Sequence, residues 1–250
     1  MSQSPNFLAP CLLVIDLIVV AALLTMLGLA LGRTQLPSTA RTRTWLAVTA
    51  ALVVWYGLVS YLSIQGVFQA TPDVKFPAIL LAVFLPIIVG LWLIVRSRTM
   101  ASVIDATPLS WLVAIQTYRV AGIVFLVLLS MRVLPAQFAL PAGKGDILVG
   151  LLAVPVAWMI HKGSRAAIPA AYAWNILGIL DFVVALATGF LTSPGPFQMM
   201  ALGDPNLLVS VYPLVMVPAF LVPLSSILHG VCIWKLQRQS RMATTRAALA

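Results

Sequence analysis

Apolar residues fall into seven long runs separated by short polar stretches, over 7–31, 44–68, 76–95, 109–134, 146–160, 166–190 and 212–236. Six of these reach 20 residues or more, the length a helix needs to cross a hydrocarbon core about 30 Å thick. The fifth has 15 residues and carries Gly150 and Pro155, so it is barely long enough. The pattern predicts an all-α integral membrane protein with one seven-helix domain over 1–236 and a short basic tail over 237–250.

The breaks between runs carry their own signals. Residues 137–146, QFALPAGKGD, hold a proline and two glycines and read as a tight loop entering the fifth span. Thr107–Pro108 reads as the N-cap and first residue of the fourth helix. The stretch after the sixth run contains Ser193–Pro194–Gly195–Pro196 and Asp204–Pro205. It is longer than most connections and is a candidate lid.

The last run is the most irregular. Pro213, Pro218 and Pro223 recur every five residues within it. Each proline lacks an N–H and crowds the carbonyl four residues earlier, and lipid supplies no substitute donor. Pro213 can sit in a first turn, whereas Pro218 and Pro223 should free the carbonyls of Leu214 and Ala219 and act as a hinge. Ser225, Ser226 and His229 follow at spacings of three and four, on one helical face. A cytoplasm-facing cavity at that face would let His229, with an ordinary pKa near 6.5, exchange protons.

Composition agrees with the pattern: 62% of residues are hydrophobic and 8% charged, against about 25% charged in soluble domains. A net charge of +9 would suit nucleic acid if it formed a block. Instead Arg33, Arg41, Arg43, Arg96, Arg98, Lys162, Arg165, Lys235, Arg238, Arg241 and Arg246 fall in alternate connections and the tail. The opposite connections hold Lys75 and Lys144. This bias puts the N-terminus outside and the C-terminus in the cytoplasm, in a bacterial-type inner membrane, and it excludes a nucleic-acid partner. The first run lacks a basic leader and contains Asp16, unlike a signal peptide. Cys11 and Cys232 fall in opposite leaflets, too far apart for a disulfide.

The chemistry-bearing residues are the polar ones at membrane depth, where charge is rare and faces the protein interior. The acidic residues are six Asp and no Glu. At 1.5 Å per residue, Asp16 and Arg119 lie about 14–15 Å into their spans, near the midplane. Asn175 is similarly deep, Asp181 lies somewhat outward, and Asp146 falls at the outer mouth of the fifth span. Gln116 shares the face of Arg119, while Tyr118 and Trp174 stand beside polar neighbours and can line a pocket. Arg119 should pair with Asp181 or Asp16 and leave the other carboxylate desolvated and free to titrate, which is what a proton-coupled step requires.

Other chemistries fit less well. His161 and His229 could bind haem only if their helices faced each other near the cytoplasmic end. A retinal protein needs a lysine deep in a span, and Lys235 sits at a span end. The segment Gly143–Lys144–Gly145–Asp146 is not a phosphate loop, and no metal site, cofactor motif or nucleophile elbow is evident. The expectation is a transporter for a small molecule or ion, proton-coupled through the midplane Arg/Asp/Asn group, with the bilayer as its environment. A seven-helix sensor acting through a partner is the rival, followed by a haem- or quinone-linked redox subunit.

Overall fold

The computed structural model describes residues 4–74 and 76–249, with side chains described through Arg241. Lys75 and the side chain of Arg246 therefore lie outside the described residues. The described chain is helical throughout, without strands. Seven helices are long and apolar enough to cross a membrane: α1 (Leu8–Gly32), α2 (Ser38–Ile64), α3 (Ile79–Arg96), α5 (Leu109–Ser130), α6 (Ala136–His161), α7 (Ala167–Thr192) and α8 (Val217–Arg241). A short helix, α4 (Arg98–Ala106), lies between α3 and α5. The outward faces are hydrocarbon: α3 buries only Val83, while Val53, Val54, Ile88 and Trp92 are among many exposed apolar side chains. Such a surface fits a multi-pass membrane protein.

Two boundaries differ from the hydropathy pattern in ways that matter. The second helix begins at Ser38, with its first turn polar, where the apolar run starts at 44. More important, the expected loop over 137–146 is helix, so α6 is a full 26-residue span rather than a short one. Pro141 and Pro155 sit inside it, and its glycines serve contact rather than turning. A Cβ on Gly150 would come within 2.6 Å of the Val120 backbone nitrogen on α5. Small residues let membrane helices approach until their backbones touch, and α6 packs extensively on both α5 and α7.

Thr107 also departs from expectation. Its hydroxyl donates back to Val103 O at 2.8 Å and closes α4, while Pro108 takes the cap position of α5. The end of α4 is held by α8: Lys235 Nζ donates to the Ile104 and Asp105 carbonyls at 2.6 and 3.1 Å, and Arg238 pairs with Asp105.

The centre of the bundle is α8, 61% buried over its span against 6% for α3. Residues 212–215, expected within the last span, form turns ahead of it, and Pro213 follows a cis peptide bond. The helix opens with a π turn, Val217–Leu221, and continues as α-helix from Val222 to Leu249, through the expected tail. The Leu214 carbonyl is not freed, since Val217 N donates to it at 3.0 Å. Widening the first turn accommodates Pro218, and the carbonyls that receive side-chain donors from α5 are those of Leu221 and Ser225, from Tyr118 and Gln116.

The long connection expected as a lid is tied down. Asn206 is fully buried, and its backbone N–H donates to Thr192 O at 2.9 Å. Ser210 Oγ accepts from Ala70 N at 3.0 Å, joining this connection to the one between α2 and α3.

Gly150→Leu should force α5 and α6 apart and lower the detergent melting temperature, since overpacking typically costs about 1–3 kcal/mol. Gly57→Leu, where nothing lies within 4 Å, should leave it unchanged. Equal melting of the two variants in a fluorescence-detected stability assay would show that α5 and α6 are not in backbone contact.

Candidate functional site

The site is organised from the middle of α5, where the helix tightens. Ile115–Gly122 is an eight-residue 3-10 segment between α-helical halves, longer than such runs usually are. At three residues per turn, positions 116, 119 and 122 stack in one line; in an α-helix they would drift around the axis. Gln116, Arg119 and Gly122 are the buried residues of the segment, so the tightening aims one polar column into the bundle.

Arg119, 3% exposed, is the hub of that column. Its Nε donates to Asp146 Oδ1 on α6 at 2.8 Å. Its Nη2 donates to Asp181 Oδ2 on α7. Its Nη1 reaches Gly178 O at 3.5 Å and His229 Nε2 on α8 at 3.2 Å. The Phe182 ring lies under the guanidinium, 3.9 Å from Cζ. Glycines make the room: a Cβ on Gly145 would occupy the place of the Asp181 carboxylate, and one on Gly178 that of the His229 imidazole.

The tautomer of His229 follows from its partners. A guanidinium can only donate, so His229 Nε2 accepts. His229 Nδ1 therefore carries the proton and donates to Asn175 Oδ1 at 2.9 Å. Asn175 Nδ2 in turn donates to Ala171 O at 2.7 Å and to Cys232 Sγ at 3.2 Å. The imidazole is neutral, 0% exposed, and packed on Trp174 with ring centroids 4.9 Å apart.

Ser225 and His229, expected to face an open cavity, are instead buried, at 1% and 0% exposure. Ser225 is buried against α5, where its Oγ donates to Gln116 Oε1 at 2.8 Å and contacts the Tyr118 hydroxyl. Ser226 lies apart, bonded to Val222 O at 2.8 Å. The proton-exchange role expected for His229 therefore has no open path toward the end of the bundle that carries α4, where Leu112, Val149, Ala153 and Val231 belong to one buried apolar cluster.

Two further placements differ from expectation. Asp146 is not at a span mouth: with α6 starting at Ala136, it lies ten residues, or about 15 Å, into the helix and faces Arg119. Asp16 does not meet Arg119; Tyr56 on α2 donates to its Oδ2 at 3.2 Å, and its Oδ1 has no partner. Trp174 is buried in the apolar core against His229 and donates to Val149 O at 2.9 Å. Lys144, expected in a connection, is exposed on α6.

Phe182, Gly145 and Gly178 belong to the site but were not evident as such in the sequence. Gly178 stands three residues before Asp181, a spacing that places both on one face, and this was the available signal.

A cavity of about 270 Å³ leads to the cluster from the end of the bundle where the α2–α3 and α7–α8 connections meet. Its walls are mostly apolar, and Asp146 is the charged residue among its described lining. The Asp146 side chain is 17% exposed, against 7% for Asp181 and 2% for Arg119. A second void of about 30 Å³, lined by Tyr118, Arg119, Asp146 and Ser225, shares Phe125, Phe182 and Val217 with the first. It is large enough for a water molecule with several polar partners.

Among the described residues no group of three or more His, Cys, Asp or Glu could hold a metal ion. The histidines do not face each other: His161 is exposed beside Trp158 at the end of α6, and both ring nitrogens of His229 are engaged.

A family model described as a domain of unknown function, DUF8737, matches residues 75–237, a span that includes every residue of the Arg119 cluster. No curated protein and no solved structure matches the chain.

Arg119→Met should cost roughly 3–5 kcal/mol of stability, because it strands buried carboxylates. Adding Asp181→Leu should restore only part of that loss, since Asp146 remains; the triple variant with Asp146→Asn should restore most of it. Thermal melting in detergent measures this series. Full recovery in the double variant would mean that Arg119 serves one carboxylate and not two.

Proposed function

We propose that this chain, which belongs to the DUF8737 family of unknown function, is a membrane transporter for a small molecule, coupled to protons through the Arg119 cluster. The observation that carries the reading is the cavity of about 270 Å³ that ends on the partly exposed Asp146 carboxylate, ten residues into α6. Clefts of about this size suit small ligands, with a few polar groups fixing their orientation. The cluster holds two carboxylates and one guanidinium beside a neutral imidazole, so it carries one surplus negative charge when both aspartates are ionised. In a low-dielectric interior that surplus must be met by a proton or by a bound charge.

The distribution of Lys and Arg supports an orientation with the N-terminus and the cavity outside and the C-terminus in the cytoplasm, in a bacterial-type inner membrane. On this reading the cavity takes substrate from outside, and the apolar layer around Val149 and Ala153 is the closed inner gate. Transport then requires that layer to part while the outer end closes. A sensor that reads the same ligand would keep the layer shut.

The test uses single cysteines in a background of Cys11→Ser and Cys232→Ser and a thiol reagent that cannot cross membranes. Ala185→Cys, on the cavity wall, should label from the outer side. Ala153→Cys should label from the cytoplasmic side, in inverted vesicles. Labelling of Ala185→Cys alone would replace the transporter by the sensor, and labelling of neither would remove the cavity from function.

A further inference from the structure

We infer that the cavity selects a lipophilic monocation, whose charge is taken by Asp146 in exchange for one proton. This rests on the reading of the cavity as a transport site and names its substrate class.

The lining carries the argument. Seven of the cavity's lining residues are phenylalanine, among them Phe68, Phe125, Phe138 and Phe190. Phe125 and Phe138 meet edge to face, with centroids 5.4 Å apart. Aromatic faces attract cations, and quaternary ammonium groups are the ligands that such walls recognise. No cationic side chain is among the described lining residues, and the charged group that does reach the cavity is the Asp146 carboxylate. An anion would meet that carboxylate and, among the described lining, no positive charge, the other polar side chains being the neutral Gln69, Ser193 and Ser210. A neutral hydrocarbon would cover a carboxylate without compensating it, which is costly in a dry site.

Charge bookkeeping supplies the exchange. Arg119 commits Nε to Asp146 and Nη2 to Asp181, so one positive charge is divided between two carboxylates. The ionisable groups facing Asp146 are Arg119 and Tyr118 from α5 and Asp181 from α7. From α8, His229 faces Arg119 as a neutral acceptor. On α1, Asp16 is turned to Tyr56. With one proton on the carboxylate pair the cluster is neutral. When a monocation enters, that proton leaves to water through the outer cavity and the cluster with its ligand is neutral again. Asp146 is the member that meets the ligand because its side chain is the more exposed of the two. Proton and cation therefore compete for one site.

The experiment places the full chain in lipid nanodiscs and titrates it with benzyltrimethylammonium by calorimetry, in buffers of different ionisation enthalpy. The comparison ligand is neopentylbenzene, the same shape with carbon in place of the charged nitrogen. Saturable cation binding, release of about one proton per cation, and affinity falling about tenfold per pH unit on acidification are the expected results. Asp146→Asn should abolish the proton release and most of the binding; it leaves one carboxylate for one guanidinium, so the fold keeps its charge balance. Ala142→Leu, which fills the cavity and leaves the ions in place, should abolish binding by bulk alone.

Equal or tighter binding of neopentylbenzene would overturn the cation assignment. So would cation binding without proton release, or binding undiminished in Asp146→Asn. Absence of cation binding in a chain that labels at both Ala185→Cys and Ala153→Cys would overturn the substrate class and leave the transporter standing.

Discussion

The buried guanidinium of Arg119 is the constraint on which the rest of the bundle depends. A charge buried in an apolar bundle persists only if its donors are met by protein, and here they reach three other helices. Asp146 belongs to α6, Asp181 and Gly178 O to α7, and His229 to α8. These bonds set how α6, α7 and α8 are rotated about α5. The apolar contacts cannot do this alone, because lipid is as good a neighbour for leucine as another helix is. The polar network therefore specifies the arrangement, and close packing of small residues completes it.

Local backbone choices serve the same centre. The 3-10 segment of α5 aligns Gln116, Arg119 and Gly122, so the residue that bonds Ser225 and the residue that bonds both carboxylates share one line. Gly122 completes it by giving the Asp146 side chain its place. On α8, the Leu221 carbonyl at the end of the π turn accepts from Tyr118, and the Ser225 carbonyl, one helical turn on, accepts from Gln116. Two departures from α geometry thus face each other across one interface. Departures of this kind concentrate at functional sites.

Much of the fold was legible in the sequence, because hydrophobic run length in lipid is a direct measure of span count. The largest departure was α6, where the expected loop is helix. Proline and paired glycines over 137–146 mark a turn in water, where a helix gains nothing from bare backbone. Between packed helices the same glycines admit Asp181 and the neighbouring backbone, so the helix continues through them. That one misreading moved Asp146 from the midplane to the span mouth and hid the second carboxylate of the pair. Asp16 was equally deep by residue count, but depth does not report rotation, and its partner Tyr56 lies on a helix whose facing could not be read from one sequence. The burial of His229 behind Arg119 was hidden for the same reason.

The measurement that bears most directly on this account is solid-state NMR of the protein in lipid bilayers, with nitrogen-15 in the arginine side chains and carbon-13 in the aspartate carboxyls. The account predicts two close guanidinium–carboxyl couplings from Arg119. One should vanish in Asp146→Asn and the other in Asp181→Asn, while Asp16→Asn removes neither. A single coupling, or one that Asp16→Asn abolishes, would contradict the shared guanidinium at the centre of the bundle.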